Sequence, residues 1–154
     1  MFAGIQNNIF GFIADGKQSL TQKIMVKHIN IDHPNVVKYA ANVLDKGGVI
    51  VYPTDTLYGF GADATNENAI HKINYIKERS GPMSVIAANK NMAINWMDID
   101  SEHLEIVSPY LGGAQTLIVK VKFNVVSTKI LGNNNTLGIR IPDNKFCNEL
   151  SYQF

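Results

Sequence analysis

Four short stretches of this chain gather residue types that could do chemistry. In Pro53-Thr54-Asp55-Thr56-Leu57-Tyr58-Gly59-Phe60-Gly61, two hydroxyls flank a carboxylate and a tyrosine follows. Pro53 fixes φ and has no amide hydrogen, so it ends ladder pairing at the top of a strand. The polar triplet then stands at a strand's carboxyl end, where ligand crevices of open α/β sheets form. Gly59 and Gly61 permit close backbone approach. An elaborate Asx/ST turn would use the same residues, and the local pattern leaves both readings open.

The second stretch is Ile76-Lys77-Glu78-Arg79-Ser80-Gly81-Pro82. Lys77 and Arg79 close a predicted helix, where cations favour the macrodipole. Lysine as a point charge beside arginine as a planar fork also suits a polyphosphate. Two residues on a helix point about 200° apart, so serving one ligand requires the chain to unwind near Glu78. The third is Gly112-Gly113-Ala114-Gln115-Thr116, a glycine turn running into a strand that opens with a hydroxyl. The fourth is Arg140, between Ile139 and Ile141. Alternation points it away from both isoleucines, either into solvent or toward a carboxylate. Neither G-x-x-x-x-G-K-[ST] nor G-x-G-x-x-G occurs, so any phosphate would be held by separated cations and hydroxyls.

The elements that must position these groups read as alternating helices and strands. Val36, Val37, Ala40, Val43 and Leu44 recur at helical spacing after Pro34, and Gly47-Gly48 ends that helix. Gly48-Val49-Ile50-Val51-Tyr52 is a continuous apolar, β-branched run, as expected of a strand covered on both faces. Thr65 or Asn66 can cap a helix bearing Ala69, Ile70, Ile73 and Ile76, and Ser80-Gly81-Pro82 breaks it. Residues 83–88, 116–122 and 136–142 read as strands. Asp100 or Ser101 starts a helix with Leu104, Val107, Tyr110 and Leu111 on one face, and Asp143 is placed to cap a last helix with Phe146, Cys147 and Leu150. The class is a single-domain α/β fold, a sheet with helix cover.

Composition sets the outer bounds. The 154 residues, 45% hydrophobic and 18% charged, fit one globular domain with its own core. A formal net charge of +1 announces no nucleic-acid partner. The single cysteine, Cys147, excludes an internal disulfide and a multi-cysteine zinc site, and fits a reducing cytoplasm. His28, His33, His71 and His103 lack metal-ligand spacing, so no protein-held metal site is expected. Gln6, Asn7 and Asn8 interrupt the early apolar run, which supports neither a signal peptide nor a membrane span. Residues 1–24 are expected to form an extension outside the core fold, with regular α/β patterning over 25–154.

Taken in order, the PTDT-x-YG-x-G segment, the helix ending in K-x-R, the Pro-Met-x-Val strand, the glycine turn with T-L-I-V and the G-I-R-I-P strand resemble the YrdC-like family of threonylcarbamoyl-AMP synthases. The resemblance covers roughly residues 33–154. It implies a twisted open mixed sheet with helices on its faces. It also implies synthesis of L-threonylcarbamoyladenylate from L-threonine, bicarbonate or CO2, and ATP, with release of pyrophosphate. A threonylcarbamoyl transferase complex would then modify an adenosine of tRNA in the cytoplasm, tRNA itself being met indirectly or weakly. Carried over by position, Lys77 and Arg79 are the catalytic cations on the ATP phosphates, and Thr116 contacts the nucleotide. Thr54, Thr56, Tyr58 and Arg140 form the threonine pocket, Arg140 taking the carboxylate. Magnesium on the phosphate oxygens is the implied companion of ATP, with Asp55 a candidate to help hold it.

Three departures from the family pattern bear on this. A Pro-Gly-Pro-Leu-Thr run is replaced by Gly112 to Thr116, and the glycine of K-G-R is Glu78. The sequence stops at Phe154, ahead of a strand and a serine-alanine-asparagine segment that contacts ATP in the family. The expectation is a C-terminally truncated member that turns over weakly or not at all. The alternative is a non-catalytic RNA- or tRNA-binding, or regulatory, module of the same fold, whose binding would depend steeply on salt and survive Thr54→Ala.

Overall fold

A computed structural model describes residues 8–13 and 25–154. The fold is mixed α/β, as expected, and the strands divide between two sheets. The first sheet contains β1 (Asn8–Ile13), β2 (Met25–Asn30), β3 (Val49–Tyr52) and β4 (Gly59–Gly61) in the order β2-β1-β3-β4, antiparallel throughout. β1 belongs to the segment expected to stand apart from the core; its Phe10 pairs with both His28 and Val51. The rest of residues 1–24 lies outside the described residues. The second sheet contains β5 (Ser84–Ile86), β6 (Leu117–Lys120) and β7 (Thr136–Arg140). β7 is central, parallel to β5 and antiparallel to β6.

Five α-helices are described: α1 (Val36–Asp45), α2 (Glu67–Ile76), α3 (Lys90–Trp96), α4 (Ser101–Val107) and α5 (Lys145–Gln153). Val36, Ala40 and Leu44 fall four apart on α1 and pack with Phe146, Cys147 and Leu150 of α5. Consecutive buried Val49 and Ile50 show that β3 is covered on both faces. A second core holds Ile70, Ala93, Val119, Leu137 and Ile139. Each of the valine, leucine and isoleucine side chains there, fully buried, contributes about 1.5–3 kcal/mol.

Caps set the helix limits. Asn66 accepts from the Ala69 amide at 3.1 Å and Asp100 from the His103 amide at 2.8 Å, both on residues anticipated as caps. The last helix is capped by Asn144, which accepts from the Cys147 amide at 3.1 Å, and not by Asp143. Asp143 lies one residue too early; its amide donates instead to a distant carboxylate, Asp55. α3 and β4 were not anticipated. Leu137 and Ile139 point into the core, so Gly138 and Arg140 share the opposite face of β7.

Candidate substrate-binding site

Residues 53–58 form the loop that joins β3 to β4 in a hairpin, with Tyr52 opposite Gly59. Thr54 organises the loop. Its hydroxyl donates to the Leu57 carbonyl at 2.7 Å and accepts from the amides of Thr56 and Leu57 at 3.1 and 3.2 Å. This is the hydroxyl-centred turn left open by the sequence. Pro53 is anchored from below, where the Cys147 thiol donates to its carbonyl at 3.4 Å.

The loop also has a partner on the other sheet. Arg140, at the end of β7, donates through Nη2 to Asp55 Oδ1 and to Thr56 Oγ1, the latter at 2.9 Å. Asp55 Oδ2 accepts from the Asp143 amide at 3.1 Å. The ion pair is largely sheltered, with side-chain exposures of 19% for Arg140 and 11% for Asp55. The structure thus brings Thr54, Thr56 and Arg140 together around Asp55. Tyr58, at the end of the loop, is half-buried and makes no hydrogen bond among the described residues.

Thr116, just ahead of β6, reaches the same face. A Cβ built on Gly138 would meet Ser84 Oγ at 2.6 Å and Thr116 Cγ2 at 3.1 Å. Ser84 and Thr116 therefore close over a bare backbone position two residues from Arg140, which no side chain could occupy undisturbed.

Lys77 and Arg79 follow α2, and the chain unwinds where their joint use requires. The Glu78 amide donates to Tyr75 O at 3.3 Å and the Arg79 amide to Asn74 O at 3.1 Å, while Glu78 takes φ = 50°. These bonds define a Schellman ending with Lys77 as the cap residue and Glu78 in the left-handed position. Lys77 Nζ stands 5.9 Å from the centre of the Phe60 ring, which places it against β4. Arg79 is exposed, and neither cation bonds to the Asp55–Arg140 group. A groove of about 500 Å³ lies elsewhere, between Pro34, Asn89, Asn148 and Tyr152, and none of the candidate residues lines it.

Burial governs the protonation beneath the loop. The Cys147 thiol is pushed up to about 12, first by burial and then by the Asp55 charge, with Arg140 partly opposing. It stays protonated at neutral pH and serves as a hydrogen-bond donor, not as a nucleophile. Burial likewise raises the Tyr52 phenol well above its ordinary range. Asp55 is a poor fit for magnesium, because both carboxylate oxygens are engaged by Arg140 and the Asp143 amide. Among the described residues no cluster of three or more His, Cys, Asp or Glu side chains is placed to hold a metal. Sequence reasoning did not find Ser84, Gly138 or the Asp143 amide, which become visible only when β5, β6 and β7 are assembled.

The α/β domain has counterparts among known proteins. The family model for Sua5, YciO and YrdC proteins, described as "Telomere recombination", matches residues 42–154, and the chain belongs to this family. A threonylcarbamoyl-AMP synthase of Xylella fastidiosa (strain M12) is 33% identical over 107 residues, 66% of this chain and 57% of the relative. The crystal structure of P. abyssi Sua5 complexed with L-threonine aligns with a TM-score of 0.65 at 27% identity, covering 74% of this chain and 34% of that one. E. coli YciO aligns with a TM-score of 0.63 at 25% identity, over 77% of this chain and 58% of that one. The chain thus spans little more than half of its Xylella relative.

Proposed function

We propose that this chain carries the threonine-binding part of an L-threonylcarbamoyladenylate synthase, a nucleotidyltransferase of tRNA modification. The threonine amine adds to CO2 and gives a carbamate. A carbamate oxygen attacks the α-phosphorus of ATP, the bond to the bridging oxygen breaks, and pyrophosphate leaves. The neutral amine is already a nucleophile, so no activated serine or cysteine is required, in keeping with the protonated Cys147. The work is to collect charged reactants and to stabilise charge on the phosphate.

Arg140 takes the threonine carboxylate, and Thr54, Thr56 and Tyr58 wall the pocket. Lys77 and Arg79 hold the ATP phosphates and Thr116 the nucleotide, with Mg2+ arriving on the phosphates themselves. The product passes to a threonylcarbamoyl transferase complex acting on tRNA in the cytoplasm. Among the described residues no helix is long and apolar enough to cross a membrane.

The observation that carries this reading is the seating of Arg140 on the loop by Asp55 and Thr56, in a chain 27% identical to a Sua5 crystallised with L-threonine. Titration calorimetry of L-threonine into the chain tests it. Binding that Arg140→Ala weakens by about tenfold or more supports the reading, since a charged hydrogen bond contributes about 1.5–3 kcal/mol. Absence of threonine binding to a folded chain overturns it.

A further inference from the structure

The loop between β3 and β4 is closed by Thr54 alone, and the Asp55 carboxylate takes no part in that closure. Asp55 reaches instead to groups 85 and 88 positions further along the chain. One oxygen binds Arg140 Nη2, and the other is tethered by the Asp143 amide. Both side-chain contacts of Arg140 fall on Nη2, its Nε is buried without a partner, and its Nη1 makes no hydrogen bond among the described residues.

We infer that Asp55 is a positioning residue: it pins Arg140 by Nη2 and leaves Nη1 for a ligand carboxylate. The inference rests on the proposed function, in which that ligand is threonine. A free arginine side chain carries rotamer entropy that binding must otherwise remove. Holding the side chain before the ligand arrives spares binding that cost. The same pair could act in the opposite sense, with Asp55 a plug that a carboxylate must displace. The Asp143 amide argues against displacement, because it binds Asp55 on the oxygen that Arg140 does not use. The two senses predict opposite effects of removing the charge.

Titration calorimetry with L-threonine and L-threoninamide, which lacks the carboxylate, separates them. Asp55→Asn is expected to weaken threonine binding about tenfold and to leave threoninamide unchanged. Tighter threonine binding by Asp55→Asn overturns the inference, as does equal loss of both ligands, which marks a merely structural role. Asp55→Glu keeps the charge and is expected to recover part of the loss; no recovery counts against the inference. Thermal melts of Asp55→Asn, Arg140→Gln and the double variant keep the pairing testable whatever the ligands do. Additive shifts in melting temperature overturn it, and non-additive shifts support it. Should the wild type bind no threonine, the functional reading falls, and the melts alone decide whether the two side chains act as a pair.

Discussion

At the scale of single residues, α1 and α2 offer an internal comparison. Both end in a Schellman motif. After α1, Gly47 occupies the left-handed position with φ = 67°, and Gly47 and Gly48 donate to Leu44 O and Val43 O, each at 2.8 Å. After α2 the same position is filled by Glu78 at φ = 50°. A side chain in this region costs about 1–2 kcal/mol that glycine does not pay. Glu78→Gly is therefore expected to stabilise the chain by about 1 kcal/mol. In a thermal melt that is a rise of roughly 2–4 °C for a domain of this size. An unchanged or lower melting temperature would show that the Glu78 side chain gains something elsewhere. On the proposed reading the same change removes a carboxylate from between two phosphate-binding cations, and weaker binding of ATP by the variant would count against that role.

At the scale of elements, what could be read in advance is what neighbours in sequence decide. The stripe of α1, the caps Asn66 and Asp100, the two-sided burial of β3 and the alternation of β7 are all written in residue patterns that span a few positions. The Asx/ST reading of the loop was legible too, since Thr54 bonds to residues two and three further on. What escaped depends on distant partners. Gly59-Phe60-Gly61 carries no strand signal and is a strand only because β3 pairs with it. Asp143 looks like a cap, yet its amide is claimed by Asp55. α3 is an exception, for Asn89 caps it through the Met92 amide at 2.9 Å, a signal that local reading could have used. The β3–β4 hairpin itself depends on a missing side chain. A Cβ on Gly61 would meet the Tyr52 ring at 2.7 Å and Ile50 at 3.2 Å. The Tyr52 ring cannot easily yield, because it packs against Phe146 with centroids 6.1 Å apart. Gly61→Ala is expected to cost about 1–3 kcal/mol. Urea midpoints equal to those of the wild type would show that the ring shifts freely.

At the scale of the whole molecule, the two sheets meet at the candidate site. Arg140 from one binds the loop of the other, and α5 supports that loop through Cys147, within the core it shares with α1 and β3. Stability at alkaline pH should therefore report on this junction. The Cys147 thiol ordinarily titrates near 9.0 and is pushed up to about 12 in the folded chain. Well below pH 9 it is protonated in both folded and unfolded chains and contributes no pH dependence. Above that, the unfolded chain releases the proton while the folded chain retains it. Folding then binds a proton, and stability falls as pH rises, with a limiting slope of about 1.4 kcal/mol per unit. Tyr52, also raised by burial, adds a second fall above its ordinary value of about 10. Urea midpoints measured from pH 7 to 11 should be flat up to about 9 and decline beyond it. Cys147→Ala is expected to lower stability at every pH through lost packing, yet to decline less steeply than the wild type between pH 9 and 10, where only Tyr52 of the two groups is left to ionise on unfolding. A decline over that interval as steep as in the wild type would mean that other groups drive it, and that the thiol beneath the loop is not as sheltered as its burial implies.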